Sequence, residues 1–209
     1  MTISEAVREV RKIYGGLGWP SLFARLKFSA APFTQIIPLV PDEGVIIDLG
    51  CGYGILSNML GILSKNRHII GIDLDERKIS TAHRGVSNVS FHRANIITSD
   101  IPHADCIVIV HVLHHLPNND AQEKVLRACI ERLKPGGKLI VTEVDRDPRW
   151  KYILSWTADH VLYPRDTITF RPQSEWLSLF SQLFLNVHVV SMHKRSLFPH
   201  ITFVATKSM

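Results

Sequence analysis

The residues best suited to chemistry are Asp48-Leu49-Gly50-Cys51-Gly52-Tyr53-Gly54, together with Asp73 at the end of the next apolar run. Glycines at alternate positions let the backbone turn tightly and admit a ligand against the main chain. The spacing is G-x-G-x-G. The dinucleotide-binding spacing is G-x-G-x-x-G, followed by a helix whose amino end holds a pyrophosphate. Here the third glycine comes early and Asp48 stands just ahead of the turn. An anion at that place repels a pyrophosphate and suits a ligand bearing an ammonium group and a sulfonium. A carboxylate at Asp73 can accept both hydroxyl protons of a ribose diol. A glycine turn alone is weak evidence; the turn, the preceding acid and an acid at the next strand end together are strong.

The elements that must position these residues follow from periodicity. Ile3, Val7, Val10 and Ile13 recur at helical spacing, which predicts an amphipathic helix over 3–14. Gly15-Gly16-Leu17-Gly18 breaks it, and Trp19 to Leu39 reads as a second helical stretch, so that 1–41 is expected to form a cap before a main domain over 42–209. Val45-Ile46-Ile47 is a β-branched run typical of a strand covered on both faces. Helix signals at 55–63 and 76–83 and strand signals at 68–72 and 89–91 follow, then the most apolar strand, 106–110. Asp120 with Glu123 suits a capping box for a helix reaching about Leu133. A turn at 134–137 precedes a fifth strand over 138–144, Ser174 suits the cap of a helix carrying Leu177, Phe180 and Phe184, and strands over 187–192 and 201–205 close the chain. This alternation predicts an α/β fold: a doubly wound, mostly parallel seven-stranded sheet with helices on both faces and an antiparallel last strand. Ligands of such sheets sit beyond the carboxyl ends of the strands, near the switch point.

With 45% hydrophobic and 21% charged residues in 209, the composition is that of an ordinary folded domain. The net charge of +5 is scattered, not gathered into a basic tail, which argues against nucleic acid as a partner. Three cysteines, Cys51, Cys106 and Cys129, are too few for a disulfide framework and read as reduced thiols. The start Met1-Thr2-Ile3-Ser4-Glu5 lacks a signal-peptide pattern and no apolar run is long enough to span a bilayer, so a cytoplasmic location is expected, with peripheral membrane contact and oligomeric state left open.

At this point the motifs resemble those of class I methyltransferases dependent on S-adenosylmethionine (SAM). The likeness runs through Asp48–Gly54, Asp73, Ala104-Asp105-Cys106-Ile107-Val108-Ile109 with His114-His115-Leu116, and Leu133-Lys134-Pro135-Gly136-Gly137-Lys138-Leu139. It is nearest to the small-molecule branch that includes quinone C-methyltransferases, and Phe198-Pro199-His200 before the last strand fits that branch. The resemblance implies a Rossmann-like methyltransferase fold with SAM as cofactor and S-adenosylhomocysteine as product. It implies that Asp48 and the backbone of Gly50, Cys51 and Gly52 hold the methionine part, Asp73 grips the ribose and Leu74 packs on the adenine. Asn95, with Ile96, stands where the family commonly has an Asp, so the bond to the adenine amino group is expected to survive without its charge. His111 is expected to pass beside the sulfonium.

Plainer readings stand beside these. The glycines at 136 and 137 read as a turn, Asp75 as a helix cap and Asp105 as support for the fourth strand. Among eleven histidines, His111 and His115 are the candidates for a base, with His193 and His200 behind them. His-x-x-His-His followed by Leu-Pro is a feature of the branch rather than a metal spacing, and no metal is expected. Tyr14 and Trp19 could close over a ligand or pack in the core. The aromatic stretches 1–41 and about 146–172, with Arg25, Arg149, Arg165 and Arg171, are the material for an acceptor pocket; they suit an apolar small molecule with a polar or anionic group, such as a lipid, polyketide or quinone-like compound. The absence of an Asn-Pro-Pro-Tyr-like motif argues against methylation of adenine or glutamine amino nitrogens. The alternatives are a non-catalytic SAM-binding scaffold and, against the glycine spacing, a nicotinamide-dependent oxidoreductase.

Overall fold

The computed structural model describes residues 1–16, 18, 31–162, 167–183, 186–192 and 196–208. Of the positions singled out above, Trp19, Arg25, Arg165, Phe184 and His193 lie outside the described residues. The strands are β1 (Gly44–Leu49), β2 (Arg67–Asp73), β3 (Val89–Arg93), β4 (Ala104–Val110), β5 (Leu133–Val144), β6 (Asn186–Ser191) and β7 (His200–Thr206). They form one seven-stranded sheet in the order β3-β2-β1-β4-β5-β7-β6. Strands β1 to β5 pair in parallel, while β7 runs antiparallel to both β5 and β6. This is the doubly wound sheet expected, with its antiparallel last strand.

The helices of seven residues or more among the described residues are α1 (Ile3–Ile13), α2 (Ile55–Leu63), α3 (Glu76–Ala82), α4 (Asn119–Arg132), α5 (Arg149–Leu162) and α6 (Gln173–Leu183). Because successive strand residues face opposite sides, the two faces of the sheet carry separate cores. Ile46, Ile69, Cys106, Val108 and Ile140 pack with Val10 of α1 and Met59 and Leu60 of α2. Ile47, Ile107, Ile109, Leu139 and Val141 pack on the other face with Val125 and Cys129 of α4 and Trp176 and Phe180 of α6. Buried on both sides, β4 needs the unbroken apolar run that its sequence shows. None of the helices among the described residues is long and apolar enough to cross a membrane.

Local differences from the sequence reading have physical reasons. Helix α4 is capped by Asn118, whose side chain accepts from the Ala121 amide, so Asp120 lies inside the first turn. Asn has an extended backbone free to serve as the cap, and Asp120 complements the positive helix end instead. Ser174 lies within α6, whose first turn folds back on Pro172 through the Glu175 and Trp176 amides. The buried face of α6 is Trp176, Leu179 and Phe180, while Leu177 is 37% exposed. The turn at 134–137 is a disturbance within one long strand: Gly136 adopts φ 74° and donates to Lys207 O, and the β4–β5 register shifts there. Asp75 caps α3 by accepting from the Arg77 amide. Asp105 accepts from the Val45 amide at 2.8 Å and pairs with Lys134, tying the starts of β1 and β4 together.

Candidate active site

The sheet reverses direction between β1 and β4, since the chain runs outward through β2 and β3 and returns to β4 on the other side of β1. Their carboxyl ends therefore open a crevice between the flanking connections. A cavity of about 630 Å³ occupies it, and all nine residues expected to touch a cofactor line it: Asp48, Gly50, Cys51, Gly52, Asp73, Leu74, Asn95, Ile96 and His111. His115, the other candidate base, lines it too.

The glycine turn is built from left-handed backbone. Gly50 has φ 73°, and a Cβ there would lie 2.3 Å from Val112 Cγ2. Gly52 has φ 55° and nothing within 4 Å of the place where a Cβ would stand, so its bare backbone faces open cavity. The amides of Gly50 and Cys51 both donate to Ile72 O, at 2.7 and 3.0 Å. The Gly52 amide donates to Asp73 Oδ2 at 2.8 Å, and Asp75 N donates to Asp73 Oδ1 at 2.9 Å. With its amides turned inward, the loop offers a ligand acceptors rather than donors. A pyrophosphate needs N–H groups; an ammonium needs oxygens.

Asp48 deepens that preference. It is only 3% exposed, accepts from Ser57 Oγ at 2.6 Å, and burial pushes its carboxyl up to about 6, with the Ser57 bond opposing and the nearby Asp73 charge adding. Among the described residues no cation pairs with this buried acid, and a bound one would suit it. Leu74, at the rim, is 60% exposed, an apolar surface ready for a flat ring. Asn95 departs from expectation in one detail: its Oδ1 already accepts from the Ile97 amide at 2.9 Å, which leaves one lone pair and the Nδ2 donor for a ligand. Burial with the Asp48 and Asp73 charges raises the Cys51 thiol, which argues against nucleophilic use.

His111 leaves β4 at φ 56°, the sole non-glycine with positive φ among the described residues. Such strain persists only where its surroundings enforce it. Its Nε2 lies 3.0 Å from His200 Nδ1, and His200, fully buried, reaches Ser196 Oγ from Nε2 at 2.8 Å. His114, by contrast, turns away from the cavity toward Glu143. Tyr14 does not close over the cavity: it is buried, its hydroxyl donates to Tyr53 O and accepts from Asn58 Nδ2 at 2.9 Å. Arg171 is held by Gln122 Oε1 and Asn119 O, and Arg149 is exposed at the start of α5. Wall residues that sequence reasoning passed over include Phe33, Tyr53, Lys78, Val112 and Pro117. Tyr53 and Pro117 stand within the motifs and Val112 and Lys78 near them, while Phe33 has no such signal.

A family model described as a methyltransferase domain matches residues 24–189. The chain belongs to this methyltransferase family. Within the family it is similar to a ubiquinone biosynthesis O-methyltransferase of Marinobacter nauticus, 32% identical over 126 residues that make up 56% of this chain and 50% of that one. Another ubiquinone biosynthesis O-methyltransferase, from Pseudomonas savastanoi pv. phaseolicola, is 29% identical over 135 residues, 60% of this chain and 56% of that one. This methyltransferase chain spans about half the length of the curated relatives it matches. Among solved structures, the apo form of the SAM-dependent methyltransferase SibL shares the fold with a TM-score of 0.71 at 18% identity, over 99% of this chain and 69% of that one. The chain thus carries a methyltransferase domain with a Rossmann-like sheet.

Proposed function

We propose that the crevice at the ends of β1, β2 and β4 binds SAM and that the enzyme methylates a small, largely apolar acceptor. The observation that carries this reading is one cavity in which a buried carboxylate, a glycine turn whose Gly50, Cys51 and Gly52 amides are bonded inward and a second strand-end carboxylate meet in the order a sulfonium nucleoside requires. Asp48 and the carbonyls of the turn would take the ammonium, Asp73 the ribose hydroxyls, Leu74 and Ile96 the faces of the adenine, and Asn95 its edge. Asp73 can do this while holding the turn, since each oxygen accepts one amide and keeps further capacity. Bound there, SAM supplies an electrophilic methyl group whose leaving thioether is neutral, so the protein contributes mainly alignment.

Residues 1–41 form a cap in this reading, with Ala31 and Phe33 in the cavity wall. Val110, Val112, Leu116 and Pro117 supply further apolar wall, which supports a lipid-, polyketide- or quinone-like acceptor. Where the acceptor must lose a proton, His111 is the base: in the tautomer whose Nε2–H donates to His200 Nδ1, its Nδ1 is the atom that takes the proton. His115 lies on the same wall as the alternative.

Calorimetry with SAM and S-adenosylhomocysteine tests the binding half. Micromolar binding by the wild type and at least tenfold weaker binding by Asp73→Ala are expected; no heat from folded protein refutes it. Incubation with methyl-labelled SAM and cell extract tests the acceptor. Label in a solvent-extractable small molecule is expected, and label confined to protein or nucleic acid overturns the acceptor class.

A further inference from the structure

Behind the cavity wall, the turn after β4 holds a histidine that the proposed methyl transfer does not use. His114 is 1% exposed. Its Nδ1 donates to Glu143 Oε2 at 2.5 Å, and Glu143 Oε1 accepts from the amides of Leu113 and Val112 at 2.9 and 3.3 Å. In the neutral ring with its proton on Nδ1, Nε2 is the atom left to bind a metal, and among the described residues no hydrogen bond reaches it. It faces Asp159 Oδ2 of α5 at 3.7 Å. His115 brings a ring nitrogen to the same spot, so that one donor atom each from His114, His115 and Asp159 lies within 4.8 Å of the others.

Two imidazoles and a carboxylate are a ligand set for a divalent metal with an open position. Metal–ligand bonds of about 2.0–2.2 Å in tetrahedral array separate neighbouring ligand atoms by about 3.4 Å. The 3.7 Å between His114 and Asp159 is close to that separation and too long for a hydrogen bond. Glu143 is the carboxylate that orients a metal-bound imidazole through its far nitrogen. We infer that His114, His115 and Asp159 bind a divalent transition-metal ion of the zinc type. Phe170 stacks on His114 at 4.9 Å and covers one side, while Asp159, 20% exposed, leaves an entry from solvent. The ion ties α5, whose one buried residue among those described is Ser155, to the turn that carries His111 and His115. The ligands lie on elements more than forty residues apart, which is why the histidine spacing alone gave no metal signature.

The inference does not rest on SAM binding and is tested without it. Full-length protein is stripped with a chelator, then titrated with Zn²⁺ by calorimetry and with Co²⁺ by absorption spectroscopy. One equivalent of Zn²⁺, visible Co²⁺ ligand-field bands of low coordination number, and slower hydrogen exchange in α5 on adding Zn²⁺ are expected. Asp159→Asn, at a partly exposed position that should leave the fold intact, should weaken Zn²⁺ binding at least tenfold, and Glu143→Gln by about tenfold to a hundredfold. Absence of stoichiometric binding overturns the site and leaves His114 shared between two carboxylates. Wild-type affinity in both Asp159→Asn and His115→Ala also overturns it, assigning the ion to other histidines.

Discussion

Asp48 has its carboxyl where little water reaches it, and this makes both apo stability and cofactor affinity depend on pH. Its folded value of about 6 lies above the ordinary 3.8, so the folded protein holds a proton that the unfolded chain has released between those values. The contribution of Asp48 to apo stability is therefore fully present below about pH 4 and is lost as pH rises through about 6. Asp48→Asn should stabilise the apoprotein by about 1–3 kcal/mol at pH 7.5, read by urea unfolding, because it removes a buried charge that has no counter-ion among the described residues. The same variant should bind SAM at least tenfold more weakly. In the wild type a cation requires the carboxylate, so SAM affinity should rise as pH passes upward through about 6. Near pH 6 the heat of binding should vary with buffer through proton release from Asp48, and near pH 7 this dependence should be much smaller. A flat affinity profile from pH 5 to 8 would remove Asp48 from the site. Gly50 makes a different demand: Gly50→Ala combines a left-handed backbone with a clash against Val112, and about 2–4 kcal/mol should be lost in the same unfolding assay.

At the scale of elements, α1 bears directly on the glycine turn, because Tyr14 at its end donates to Tyr53 O while Asn58 of α2 donates to Tyr14, Gly54 O and Ala82 O. This buried network fixes the backbone between two of the motif glycines. Tyr14→Phe should cost about 1–2 kcal/mol of stability, as a buried carbonyl loses its partner, and should weaken SAM binding several-fold in calorimetry. Unchanged affinity would make the network purely structural. The contrast between α1 and α5 shows what a sequence displays. Helix α1 announces itself through its period, and Thr2 and Glu5 close a capping box at its start. The glycine turn and Asp73 were legible because their chemistry depends on types and close spacing. Helix α5 left no clear signal, since Trp150, Ile153, Trp156 and Val161 are mostly exposed rather than set on one buried stripe. Glu143, Asp159 and His200 gain their roles only from the pairing of distant strands and helices. Local spacing cannot report that His200 meets His111, or that Asp159 meets His114.

The whole molecule has one property that the separate elements lack: the cavity exists only when β1, β2 and β4 lie side by side with both helical layers in place. A ligand of this crevice therefore binds the native state alone and adds RT ln(1 + [L]/Kd) to its stability. At a hundred times Kd that is about 2.7 kcal/mol. For a chain of this length each kcal/mol moves the midpoint of thermal unfolding by about 2–4 °C. S-Adenosylhomocysteine at that concentration should thus raise Tm by roughly 5–10 °C. NAD at equal concentration should leave Tm unchanged, because the Gly50, Cys51 and Gly52 amides of the turn are committed to Ile72 O and Asp73, and Asp48 repels its pyrophosphate. In Asp73→Ala the S-adenosylhomocysteine shift should fall to a small fraction of the wild-type value. An equal shift from NAD would mean that the turn rearranges to free its amides, and the preference for a cation argued from its inward-facing backbone would fail.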